Sequence, residues 1–456
     1  MQTIIDQEEI EDILNHSFTS DKINQILEKV SRKKGLNLHE TAALLSIEKA
    51  DDLQKLFGVA NQIKQEMYGN RLVLFAPLYI SNYCINDCTY CGFRKSNHSI
   101  KRNFLSLDEI KEETRCLLAR GHKRILLVMG EAWPAEGFNY LLKAIEAIYS
   151  VEVKGNRIRR ININTAPLKV DEFKKLKKLG IGTYQLFQET YHRKTYKEVH
   201  PEGPKSNYDN RLQAIDDAFR GGIDDVGIGT LFGLYNYKFE ILALMQHVHH
   251  LEKKFGVGPH TISVPRLEPA PGSSLASNPT WPVNDVEFKK IIAIVRLAIP
   301  YVGIILSTRE NPDIRNEALN LGISQISAGS RTNPGGYSRK DAAVQFSLGD
   351  HRPMDEIIRQ VVAGGFLPSF CTSCYRLGRT GENFMKVAKT GHIKEKCLPN
   401  ALLTLAEYLL DYGSPATKIA GFAAIENNLE QLEPELKQFL EEKFTELKRG
   451  KRDVYL

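Results

Sequence analysis

A chain of 456 residues, 42% hydrophobic and 25% charged, is long enough for one large core with appendages or for two or three ordinary domains, and its composition is that of a folded soluble protein. The formal net charge of +6 is small for this length, and the 61 basic residues are interleaved with 55 acidic ones, which argues against nucleic-acid binding. The opening MQTIIDQEEIEDILN carries acids where an export signal has a basic region and an apolar core, and no stretch reaches the length of a membrane span, so no membrane partner and a cytoplasmic location are expected.

From residue 6 to about 68, apolar positions recur every three or four residues, which predicts a helical extension over 1–70. From 71 the rhythm changes to short apolar runs alternating with charged amphipathic segments. The strand candidates are LVLFAPLYI, KRILLVMG, IRRININTA, IGTYQLFQ, IDDVGIGTL, HTISVPRL, YVGIILS and ISQISAG. Two of the helices between them carry capping boxes, Ser106 with Glu109 and Asn284 with Glu287. Eight strand-helix units predict an α/β fold, a closed (βα)8 TIM-type barrel over 71–345, with an open doubly wound sheet as the runner-up. Beyond 345 the alternation stops, and residues 346–456 read as a mostly helical C-terminal domain.

Seven cysteines in a chain without an export signal favour thiolate ligands over disulfides, and six of the seven fall in two groups of three. CINDCTYC places Cys84, Cys88 and Cys91 directly after the first strand candidate, at the mouth of a barrel where such folds put their chemistry. Structural zinc takes four ligands, usually from paired C-x-x-C elements. Three thiolates on a 4Fe–4S cluster leave one iron open to a reactant. The second group is a C-x-x-C, Cys371 and Cys374, followed after 22 residues by Cys397; alone, it also fits a zinc site completed by a histidine such as His392.

The C-x3-C-x2-C pattern, with Tyr90 just before its last cysteine, resembles the radical S-adenosylmethionine (SAM) superfamily. The resemblance implies an N-terminal 4Fe–4S cluster on Cys84, Cys88 and Cys91, whose open iron chelates SAM and whose electron splits it to a 5'-deoxyadenosyl radical. In MGEAWP it places Gly130 and Glu131 at the SAM amino group, with Met129 where a second glycine is common. In QLFQETYH it offers Gln188 and Glu189 as ribose ligands, against the alternative of a polar barrel mouth. GIGTLFG lacks the spacing of a dinucleotide fingerprint.

With the second cysteine group inside CTSCYRLGRTGENFM and the texts ININTAPL, QLFQETYH and HTISVPRLEPAPG, the chain is similar throughout to the radical SAM tyrosine lyases that mature FeFe-hydrogenases. Related lyases of thiamine synthesis share the barrel and lack the second cluster, so Cys371, Cys374 and Cys397 discriminate. The resemblance implies cleavage of L-tyrosine to p-cresol and dehydroglycine. A second stage then yields carbon monoxide and cyanide at a C-terminal auxiliary 4Fe–4S cluster bearing an additional iron, held with free L-cysteine and a histidine. His260 is the candidate histidine because it opens the sixth strand candidate and so belongs at the bottom of the barrel, roughly 25 Å from the first cluster at about 3.3 Å per residue. That separation predicts an internal passage.

For the tyrosine carboxylate the candidates are Arg309 and Arg266, with a hydroxyl from Ser327, all at strand ends. The implied partners are a low-potential reductant such as ferredoxin or flavodoxin and other hydrogenase maturation proteins. A lyase supplying thiamine synthesis and a non-catalytic iron–sulfur carrier are the alternatives. His247, His249 and His250 do not converge on a helix and are expected at solvent, and Cys116 is expected in the core.

Overall fold

A computed structural model describes residues 3–31, 35–339 and 343–456 of the chain. Three short helices come first, Gln7–Leu14, Ser20–Val30 and Leu38–Leu45, and the side chains of Asp6, Thr19 and Asn37 each accept a first-turn backbone N–H. A longer helix, Ala50–Tyr68, then leads into the first strand.

All eight expected strands form: β1 (Arg71–Ser81), β2 (Arg124–Met129), β3 (Arg160–Asn164), β4 (Thr183–Gln185), β5 (Asp225–Gly229), β6 (Thr261–Ser263), β7 (Gly303–Leu306) and β8 (Gln325–Ser327). Each pairs in parallel with the next. β8 returns to β1, with Val73, Leu74 and Phe75 opposite Gln325, Ile326 and Ser327. That last pairing closes the barrel and excludes the open doubly wound sheet.

Both expected capping boxes are present. Ser106 and Glu109 bond reciprocally at 2.7 and 3.3 Å, as do Asn284 and Glu287 at 2.9 and 3.0 Å. Each fixes the start of a helix, Leu107–Leu118 and Asp285–Ala298, that packs on the outside of the barrel.

Side chains alternate across a strand, and β1 shows what that does here. Arg71 and Val73 face one end of the barrel interior, while Phe75, Pro77 and Tyr79 face the other. One continuous strand of eleven residues thus serves two cavities on the order of 30 Å from end to end, at about 3.3 Å per residue.

A ninth strand of this sheet, β9 (Leu367–Ser369), was not foreseen. It pairs in parallel with Arg71–Val73 outside the barrel. Three residues with Pro368 at the centre carry no periodicity, and proline argues against a strand except at an edge, which is where this one lies. Helices Met354–Ala363, Ser373–Arg376, Gly381–Ala388, Ile393–Asp411, Pro415–Leu429 and Pro434–Lys448 complete the C-terminal region. Among the described residues no helix is long and apolar enough to cross a membrane.

His247 departs from expectation. It is buried, with Nδ1 2.8 Å from the Tyr191 hydroxyl, while His250 turns to Asp216 at 3.1 Å. The helix Tyr237–Phe255 is covered on that side, so the residue faces the core rather than water. Cys116 is half-buried and packs against the core edge.

Candidate functional site

The barrel has a cysteine-lined cavity at each end. The upper one, at the C-terminal ends of the strands, is lined by Cys84, Cys88 and Cys91 from the loop after β1, with Tyr90 from the same loop. Gly130, Glu131, Glu189, Arg309 and Ser327 also face it. These residues come from the ends of β1, β2, β4, β7 and β8, so closing the barrel gathers them from across nearly 250 positions of chain.

Glycine at 130 has a steric cause. A Cβ there would fall 2.1 Å from the Tyr83 carbonyl oxygen, so the cysteine loop lies directly against β2's end only because no side chain intervenes. Glu131 accepts from Asn86 at 2.8 Å and from Arg211 at 2.8 Å. Burial opposes its ionisation, but Arg211 and Lys205 hold its carboxyl below the usual range. Glu189 sits at φ 72°, a left-handed conformation that bulky side chains rarely adopt, and binds Lys205 at 2.7 Å. Asn86, Lys205 and Arg211 were missed by sequence reasoning, because only the fold brings them to the mouth.

Two predicted residues are not brought to the cavity. Gln188 is buried and donates to the Tyr208 carbonyl at 3.3 Å, on the outer side of the wall that its neighbour Glu189 lines. Arg266 likewise points outward, where it donates to Glu310 and Val283 and pairs with Asp285 at 2.9 Å. Its neighbours Pro265 and Leu267 line the cavity, so the alternation of an extended segment turns Arg266 away. Arg309 does face inward, its guanidinium over the Phe346 ring, and the Ser327 hydroxyl accepts the Thr308 N–H at 3.1 Å. Glu268, beside them, is pushed up to about 7 by burial and by Glu310, so it can hold or release a proton near neutrality.

The lower cavity is lined by Cys371, Cys374, Cys397 and His260, with Arg71, Arg124 and Arg160 from the starts of β1, β2 and β3. Cys371 follows β9 by two residues, Cys374 lies on the short helix Ser373–Arg376, and Cys397 on the helix Ile393–Asp411. Burial, reinforced by three arginines, drives His260 well below its ordinary pKa, leaving the neutral imidazole that binds metals. Its Nδ1 lies 3.6 Å from the buried carboxylate of Asp225, and its Nε2 3.4 Å from the Tyr375 hydroxyl. His392, the alternative histidine, is on the surface with Glu395.

The donor sets fit iron–sulfur clusters. None of the six cysteines is in a disulfide, and burial raises the thiols of Cys84 and Cys397 to about 11, so a cationic metal centre is what would hold them as thiolates. Arg71 Nε, Arg124 Nε and Arg160 Nη1 are buried without partners, which suits an anionic group among them. Among the described residues no three His, Cys, Asp or Glu side chains close on a single ion.

Between the cavities the interior is polar and finely packed. A Cβ on Gly227 would come within 2.6 Å of Thr261 Oγ1 and 2.7 Å of Gln185, and one on Gly303 within 2.7 Å of Gln325. Thr261 Oγ1 has no partner. Bulky aliphatic layers, the usual filling of such barrels, are replaced here by hydrogen-bonding groups.

The radical SAM superfamily model matches residues 78–248, and that of the biotin and thiamin synthesis associated domain matches 263–367. The 2-iminoacetate synthase of Escherichia coli K12 is 32% identical over 358 residues, 78% of this chain and 92% of the relative. Among solved structures, a crystal structure of HydG, a maturase of the [FeFe]-hydrogenase, is 48% identical, with a TM-score of 0.97 over 99% of this chain and 100% of that one. HydG from Carboxydothermus hydrogenoformans is 43% identical, with a TM-score of 0.85 over 96% and 97% of the two chains.

Proposed function

The chain belongs to the radical SAM enzymes of the family that contains 2-iminoacetate synthase and the hydrogenase maturase HydG, and on that premise we propose that it cleaves L-tyrosine at Cα–Cβ and converts the resulting fragment to carbon monoxide and cyanide. The observation that carries the second half is the lower cavity, where three thiols and a neutral histidine face three buried arginines, each with one donor that lacks a partner.

In the upper cavity Cys84, Cys88 and Cys91 would hold the 4Fe–4S cluster, which together with SAM would supply the radical chemistry that takes hydrogen from tyrosine. Glu131, already arranged as a hydrogen-bond acceptor, receives the SAM amino group. Glu189 meets the ribose, while Gln188 supports the wall. The substrate carboxylate goes to Arg309, whose planar fork stacks on Phe346 and, among the described residues, has no carboxylate ion pair. The Phe346 face beneath it limits the angles at which that fork points.

In the lower cavity Cys371, Cys374 and Cys397 would hold the auxiliary cluster, and His260 with free L-cysteine would hold the additional iron that leaves as product. Asp225 stands behind His260, its carboxylate 3.6 Å from an Nδ1 that has no hydrogen-bond partner, and is placed to take up that N–H as carboxylates behind metal-bound histidines do. Asp225→Asn is therefore expected to weaken retention of that iron about ten- to a hundredfold. Iron counts and the spectrum of the iron-loaded protein measure this, and unchanged retention would remove Asp225 from the role.

Dehydroglycine is small and polar, and the layer of Gln185, Thr261 and Gln325 is its way between the cavities. Thr261→Ile is expected to leave p-cresol formation intact and to reduce carbon monoxide about tenfold or more, since an isoleucine lacks the hydroxyl and adds bulk. Equal loss of both products would place the fault elsewhere.

Anaerobic reconstitution with iron and sulfide, followed by SAM, tyrosine and a low-potential reductant, tests the whole reading. 5'-Deoxyadenosine, p-cresol, carbon monoxide and cyanide are the expected products. A thiamine-type lyase would stop at p-cresol and dehydroglycine, and a carrier would leave SAM unchanged.

A further inference from the structure

Among the described residues eight large apolar side chains are exposed, and three of them stand beside the first cysteine loop. Tyr83 and Ile85, 40% and 49% exposed, flank Cys84 on either side in the chain. Trp133 lies two residues beyond Glu131, whose backbone oxygen accepts from the Ile85 N–H at 3.4 Å. The Tyr83 ring is fixed in place by stacking on Phe104 at 4.5 Å.

A basic segment frames this patch. Residues 94–102, RKSNHSIKR, hold four Lys or Arg and one His without an acid. The segment is tied to the cysteine loop on both sides of Cys84. The Lys95 N–H donates to the Asn86 carbonyl at 2.8 Å, and the Asn82 amide donates to the Lys101 carbonyl at 2.8 Å. Arg102 reaches the carbonyls of Asn82, Phe93, Arg94 and Asn97 at 2.5 to 3.0 Å, which locks the arrangement. Lys95, His98 and Lys101 are exposed around the apolar centre. Glu202 pairs with Lys95 at 3.2 Å, but both are well exposed, so water screens the pair, and Asp87 is occupied by Ser96.

An apolar centre with a charged rim is the anatomy of a docking surface. Its sign selects an acidic partner, and its position, one residue either side of a cluster thiol, selects one that delivers electrons. We propose that this face docks an acidic one-electron carrier protein, which is oxidised by one electron as the centre held by Cys84, Cys88 and Cys91 is reduced by one. The inference rests on those thiols holding a reducible centre.

The test compares two reductants on the anaerobically reconstituted enzyme. SAM cleavage is driven by reduced flavodoxin in one arm and by dithionite in the other. The double variant Lys95→Glu, Lys101→Glu is expected to lose about tenfold or more of the flavodoxin-driven rate at low salt, with the dithionite-driven rate unchanged. The milder Lys95→Gln, Lys101→Gln pair is expected to fall between. Independently of turnover, carbodiimide cross-linking with flavodoxin is expected to join Lys95 or Lys101 to a flavodoxin carboxylate. Equal effects on both reductants, no effect on either, or cross-links confined to other lysines would overturn the proposal. Absence of dithionite-driven cleavage in the unaltered protein would instead contradict the functional reading on which it stands.

Discussion

Alanine at any one of Cys84, Cys88 or Cys91 is expected to abolish SAM cleavage, lowering 5'-deoxyadenosine formation about a thousandfold or more. The three thiols are the only cysteines lining the upper cavity among the described residues, and Cys116 lies on an outer helix, so no spare thiol replaces a lost one. Burial keeps the unligated thiols protonated, raising Cys84 to about 11, which means that a vacated position does not readily recruit another anionic ligand. The effect should be equal for all three and should remove p-cresol with it. Substantial 5'-deoxyadenosine from any of these variants would mean that the radical chemistry is held elsewhere.

Cys371→Ala with Cys374→Ala is expected to give the opposite division. p-Cresol continues near its ordinary rate, and carbon monoxide and cyanide disappear. The physical reason is that the cavities lie at opposite ends of β1, Arg71 and Val73 facing the lower one and Phe75, Pro77 and Tyr79 the upper, with midpoints roughly 17 Å apart at about 3.3 Å per residue, and that none of the upper lining is contributed by the residues around Cys371. Arg124 donates to the Cys371 backbone carbonyl at 2.6 Å, a contact that alanine retains, so the lower end of the barrel keeps its backbone when the thiols go. Gas capture on a haem protein beside chromatographic p-cresol measures the two halves in one reaction. Parallel loss of all products would show that the second group supports the whole fold or the first reaction.

The barrel was legible because its strands are apolar runs bounded by charged helices, and the cysteine spacing is local enough to read without a fold. His260 was legible from its place before Thr261–Ser263, which puts it at the opposite end from the first group. Two of the failures share a cause. Gln188 and Arg266 stand at strand ends, as predicted, but which way an end residue points depends on a register that sequence does not print; in each case the adjacent position took the inward place. Asn86, Lys205, Arg211 and Asp225 were invisible for a different reason: each acts on a residue far along the chain, Glu131, Glu189 or His260. β9 was too short, and too marked by its proline, to be distinguished from loop.

Electron paramagnetic resonance of the reduced, anaerobically reconstituted protein addresses most directly the claim that two three-thiolate centres each keep an open position. Two 4Fe–4S signals are predicted: SAM should perturb only the one missing from the Cys84→Ala protein, and L-cysteine with added iron only the one missing from the Cys371→Ala protein. A single signal, or two that ignore both additions, would contradict the account.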